Sequence, residues 1–115
     1  AESVRIFENV LATARGWASA DELMFVVGAT QGELMSDVRR IAPDNFLLVP
    51  GVGAQGGSLE EVCRYGMTDN CGLLVNSSRA IIFASKGADY AVAAGNAAKA
   101  LAQEMDAMLG RYSKL

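Results

Sequence analysis

Val4, Phe7, Val10, Leu11, Ala14 and Trp17 fall on one helical stripe at the start of the chain, and Gly16 with the stretch 18–21 breaks it. The spacing predicts a helix over 1–18. The pattern then changes to short, unbroken apolar runs, each followed by glycine or a polar turn and then by a return to helical spacing. These runs predict strands over 23–30, 46–50 and 72–78, with helices over 31–42, 58–65 and 88–112. Thr30 with Glu33, and Ser58 with Glu61, have the T/S-x-x-E spacing of capping boxes, in which side-chain oxygens satisfy orphan amides at a helix start. Pro43 stops the second helix, and Gly66 suits a left-handed position just past the third. In the last helix, Tyr90, Ala94, Ala97, Leu101, Met105, Met108 and Tyr112 keep helical spacing, with Met105 and Met108 as flexible core filler.

The strands read apolar throughout rather than alternating. Only a parallel sheet covered on both faces, or one closed into a barrel, buries strands in that way. Three strands cannot close a barrel, and as an open sheet they leave both edges bare. A (β/α)₈ barrel takes about 250 residues, so 115 residues supply somewhat less than half of one. The predicted fold class is therefore α/β, an incomplete portion of a (β/α)₈ TIM barrel forming a single partial domain over 1–115. The opening helix is expected to follow a strand lying before residue 1.

Composition narrows the chemistry. The chain has no histidine, which removes imidazole catalysis, histidine metal ligands and histidine pH switching. Ten Lys and Arg against thirteen Asp and Glu give a net charge of −3, with no clustered positive footprint for nucleic acid or an anionic membrane. Cys63 and Cys71 have neither the spacing nor the partners of a zinc site, and are expected to be free thiols in a cytoplasmic chain. No apolar run approaches the ~20 residues that cross a bilayer. Asn76-Ser77-Ser78 has the form of a glycosylation acceptor, but it follows a buried-type strand and carries no weight. An apolar fraction of 51% is slightly rich for so short a chain and points to surface that other polypeptide covers.

The loop 51–57 carries the candidate chemistry. Gly51-Val52-Gly53-Ala54-Gln55-Gly56 satisfies the letter of G-x-G-x-x-G, the dinucleotide fingerprint. In that fingerprint the helix begins within the glycines and an acidic residue ends the next strand. Here the capping box puts the helix start at Ser58, and Asn76 stands in place of the acid. A phosphate cradle fits better: Gly53, Gly56 and Gly57 allow close backbone approach, and the following helix presents its positive end. Arg79, after the third strand, can donate two parallel bonds to phosphate oxygens, and consecutive loops of this kind build phosphate sites in barrels. Gln55 is the long polar side chain within the loop, able to donate and accept. Arg39, Arg40, Glu60 and Lys99 read as solvated surface charges.

The segment 46–57, Phe-Leu-Leu-Val-Pro-Gly-Val-Gly-Ala-Gln-Gly-Gly, and the segment 73–81, Leu-Leu-Val-Asn-Ser-Ser-Arg-Ala-Ile, resemble orotidine 5′-phosphate decarboxylase in its longer bacterial branch. Val27-Gly28-Ala29-Thr30 is similar to the end of the preceding strand in that family. The likeness is strongest between residues 24 and 82, and Ala80 stands where the branch has glycine. The resemblance implies the C-terminal part of a barrel enzyme that works without metal or cofactor, as a cytoplasmic homodimer. It further implies that Arg79 and Gln55 grip the 5′-phosphate of orotidine 5′-phosphate and uridine 5′-monophosphate, with Ser78 and Gly53 contributing backbone. Pro50 and Val52 would line the base pocket. The family's Asp-x-Lys-x-x-Asp motif, which stabilises and protonates a carbanion, is absent from this chain. The catalytic residues are therefore expected in the remaining N-terminal part of the barrel. Two other readings stay open: a non-catalytic nucleotide- or phosphate-binding half-barrel, and a fragment of a dinucleotide-dependent oxidoreductase.

Overall fold

The structure is a computed structural model that describes residues 4–29, 32–53 and 57–115. In chain order its elements are α1 (Ile6–Arg15), β1 (Phe25–Val26), α2 (Leu34–Ile41), β2 (Leu47–Pro50), α3 (Leu59–Gly66), β3 (Leu73–Asn76), α4 (Arg79–Ile82) and α5 (Tyr90–Tyr112). The three strands are parallel and lie in chain order, with Phe25, Leu47 and Leu73 on one register line and Val26, Leu48 and Leu74 on the next. The helices follow the same succession, α1 against α2, α2 against α3 and α3 against α5. A doubly wound sheet reverses direction at a switch point, whereas strands that add one way with their helices side by side follow the winding of a barrel.

Successive side chains of a strand point to opposite faces. Leu47, Val49 and Leu73 point into the core, where Leu11, Met35, Val38, Leu59 and Val62 from the helices meet them. The other face differs: Val26 is 70% exposed and Leu74 54%. Strands expected to be buried on both faces are thus covered on one. In a barrel the second face points inward and is filled by layers of side chains from strands all around the ring, of which the described residues supply three.

Helix ends depart from the sequence pattern in several places. Thr30, proposed as a cap, lies outside the described residues. Helix α2 begins at Leu34 rather than 31, and Glu33 has helical angles with no side-chain cap bond. Ser58 does cap α3, its Oγ accepting from the Glu61 amide at 3.3 Å. Gly66 is not a left-handed terminator: it lies inside α3, and an added Cβ would meet Leu73 and Met35 at 3.4 Å, so its smallness serves packing. Helix α4 has only four residues, too few to show periodicity in the sequence.

Arg39 corrects a larger expectation. It is not a solvated charge but a half-buried tie between four backbone segments. Its Nε donates to the Gly66 carbonyl at 2.6 Å, Nη1 to those of Ala42 at 3.0 Å and Asn45 at 2.6 Å, and Nη2 to that of Gly72 at 2.8 Å. Burial lowers its pKa, with Asp44 opposing that shift. Buried Asn45 extends the network by donating to the Leu23 carbonyl at 2.9 Å. Arg40 stays at the surface, paired with Glu8 and Asp37. Both cysteines are free, and burial, reinforced by Cys71, pushes the Cys63 thiol up to about 11. Among the described residues no helix is long and apolar enough to cross a membrane.

Candidate functional site

The segments after the three strands meet at the C-terminal edge of the sheet. After β2 the chain turns through Gly51 and Gly53, at φ 86° and 89°, a left-handed conformation open to glycine at little cost. Val52 pairs with Gly57 in an isolated bridge, and the Gly53 amide donates to the Gly57 carbonyl at 3.0 Å, closing the loop at its neck. Gly57 is buried there because nothing larger fits: an added Cβ would stand 2.7 Å from the Ala29 Cβ and 2.9 Å from the Gly51 carbonyl oxygen. The Ala29 amide donates to the Pro50 carbonyl at 3.2 Å, so the turn after β1 is bonded to the end of β2.

The segment after β3 joins the same cluster. Pro50 and Asn76 are register partners at the ends of β2 and β3. Ser77 Oγ donates to the Val52 carbonyl at 3.3 Å, and Gly53 lies so near Ala80 that an added Cβ would be 3.6 Å from its Cβ. Beneath the neck lies a hollow of about 290 Å³, bounded by Val52, Gly57, Ser77, Ala80 and Leu101.

Of the residues singled out in the sequence, Gly53, Ser78 and Arg79 lie on adjoining segments at this edge, with Gly53 at the neck and Ser78 capping α4. The Ser78 side chain makes no cap bond; its carbonyl accepts from the amides of Ile81 and Ile82. Arg79 is exposed as the first residue of α4, and its guanidinium pairs with no carboxylate of the described residues. Pro50 shares the open face with Leu48, by strand alternation, whereas Val52 is 4% exposed and belongs to the core. Gln55, with Ala54 and Gly56, lies outside the described residues.

Charge at the edge favours Arg79 over the start of α3 as the partner of an anion. The first turn of α3 already carries Glu60 and Glu61, and Ser58 occupies the Glu61 amide. Helix α3 starts at Leu59, past the last glycine, and so lacks the dinucleotide geometry in which a helix begins within the glycines. Sequence reasoning passed over Ser77 and Gly57's packing role. A serine after a strand reads as loop or cap, and the contact that constrains Gly57 comes from Ala29, remote in sequence.

No family model matches the chain. A protein of Phocaeicola vulgatus named orotidine 5′-phosphate decarboxylase is 54% identical over 105 residues, which are 91% of this chain and 39% of that protein. In sequence the chain matches orotidine 5′-phosphate decarboxylases. The match falls on their C-terminal part, and the chain spans about two fifths of the length of such relatives. The fold agrees. The Leishmania donovani orotidine 5′-phosphate decarboxylase superposes with a TM-score of 0.72 at 33% identity, over 94% of this chain and 40% of that one. The UMP synthase of the same organism superposes with a TM-score of 0.74 at 35% identity, over 94% of this chain and 23% of that one. The three parallel strands and their helices are thus a partial TIM barrel.

Proposed function

We propose that this chain is the phosphate-gripping part of an orotidine 5′-phosphate decarboxylase, which converts orotidine 5′-phosphate to uridine 5′-monophosphate and CO₂ in pyrimidine synthesis. The observation that carries the reading is the contact between the neck of loop 51–57 and the segment that opens with Ser77 and presents Arg79. Arg79 and Gln55 hold the 5′-phosphate, Ser78 and Gly53 add backbone contacts, and Pro50 lies toward the base. Val52, packed in the core beside it, forms the back of the same base pocket. The carbanion left by departing CO₂ is stabilised by charged groups outside this chain, since the chain lacks an Asp-x-Lys-x-x-Asp motif. Phosphate contacts remote from the reacting carbon supply binding energy for closing the site and excluding water. The same reading makes the assembled enzyme a cytoplasmic homodimer, an expectation that rests on the resemblance.

The test is binding of uridine 5′-monophosphate and of uridine to the complete protein and its Arg79→Ala variant. The substitution is expected to cost about 1.5–3 kcal/mol with the nucleotide, the range for hydrogen bonds to charged groups, and almost nothing with the nucleoside. Equal losses with both ligands would overturn the assignment.

A further inference from the structure

We infer that Ser77 is a positioning residue that latches the glycine loop to the segment carrying Arg79. The inference rests on the phosphate-gripping reading above and adds to it a residue with no direct contact to substrate. Its hydroxyl spans the seam between two units of the barrel, donating to the Val52 carbonyl at the loop's neck. Two residues further along the chain stands Arg79. At 3.3 Å the bond is longer than the usual O–H···O range of about 2.5–3.0 Å, and hydrogen bonds of binding sites often tighten only when ligand is present.

The surroundings make the seam adjustable at this point. Even a Cβ added at Gly53 would only reach ordinary contact distance from Ala80, at 3.6 Å, and a small hollow lies between the neck, Ser77, α4 and α5. The other side of the loop is packed against Ala29 through Gly57 and has no such room. Among the described residues, the neck of the loop is packed tightly on the Ala29 side and tied to the β3 side by the long Ser77 hydrogen bond, which is the contact able to adjust. Phosphate bound between the loop and Arg79 draws the two segments together and shortens that bond. Removing the hydroxyl leaves both phosphate-contacting elements intact but less often in register, which lowers the affinity of phosphorylated ligands alone.

The experiment uses the complete protein and four variants, Ser77→Ala, Ser77→Thr, Arg79→Ala and Ser77→Ala/Arg79→Ala, with uridine 5′-monophosphate and uridine as probes. Ser77→Ala is expected to weaken the nucleotide about threefold to tenfold, as for loss of one ordinary hydrogen bond, and leave uridine affinity unchanged. Ser77→Thr, which keeps the hydroxyl, should restore most of the loss. In the Arg79→Ala background the Ser77 substitution should add little, because the partner it positions is gone. If Arg79→Ala weakens the nucleotide but Ser77→Ala does not, or if the two losses add in full, the latch is overturned and the phosphate reading stands. If Arg79→Ala has no effect on the nucleotide, the phosphate reading itself falls. Equal loss of uridine and nucleotide affinity on Ser77→Ala, or a fall in midpoint that Thr does not rescue, would make Ser77 merely structural.

Discussion

Arg39 and Arg79 show how place decides what a guanidinium does. Arg79 opens a short helix at the strand ends, exposed and free of carboxylates among the described residues, so its donors are available to a ligand. Arg39 sits lower in the fold and spends its donors on the carbonyls of Ala42, Asn45, Gly66 and Gly72, joining the end of α2, the end of α3 and the entry to β3. Truncating it would strand the carbonyls of Ala42, Asn45 and Gly66, whose desolvation costs about 1–3 kcal/mol each before any relaxation, while that of Gly72 keeps the Leu47 amide. Arg39→Ala in the complete protein is therefore expected to lower unfolding free energy by about 3 kcal/mol, read as a fall in urea midpoint at unchanged slope. Arg39→Lys should recover only part, because an ammonium cannot reproduce the planar fork. A loss below about 1 kcal/mol would mean that these bonds are replaced by water at no cost. Two adjacent arginines on a polar stretch look alike in sequence, and only the carbonyls brought in from α3 and β3 separate Arg39 from Arg40.

At the scale of elements, the strands and helices were readable because their signals are local: unbroken apolar runs, helical stripes and a serine cap each declare themselves within a few residues. The C-terminal edge was readable in part, since glycines and an arginine after consecutive apolar strands are visible as spacing. What binds those segments together was not, because each tie crosses between units. Ala29 meets Gly57 and Ser77 meets Val52 over separations that no periodicity records. Gly57 can test the strength of this coupling. A methyl group at position 57 cannot be accommodated by a side-chain rotation, since one of its neighbours is the Gly51 carbonyl. Gly57→Ala is expected to cost about 1–3 kcal/mol of stability, as overpacking does, and to displace the loop neck, weakening nucleotide binding in parallel. Gly28→Ala, where an added Cβ meets nothing within 4 Å, is the control and should change both readouts little. Equal effects at the two positions would show that the close approach carries no special constraint.

The whole molecule is unfinished as a folding unit. Its radius of gyration is 15.8 Å, against about 13 Å for a compact chain of this length, and the 23-residue α5 contains no buried residue. Beside the free edge of β1, Ile6, Val10 and Val26 are 83%, 59% and 70% exposed along an apolar groove of about 630 Å³. Beyond the opposite edge, Ile82 at the end of α4, Phe83 just after it, and Tyr90 and Val92 on α5 are exposed. Monomeric proteins rarely leave such patches open, and two bare parallel edges are templates for further strand pairing. Residues 1–115 produced alone are accordingly expected to self-associate, bind a hydrophobic dye and unfold without a sharp transition. Joined to, or mixed with, the remaining barrel part of a decarboxylase relative, they should lose dye binding and gain cooperative unfolding, because Val26 then faces the filled interior of the ring and the exposed helix faces are covered by the neighbouring strand–helix units. Sedimentation and calorimetry on both samples make the comparison. A monodisperse monomer of the 115 residues that melts cooperatively at micromolar concentration would mean that these faces need no partner, and would remove the reason for assigning them to the interior of a larger barrel.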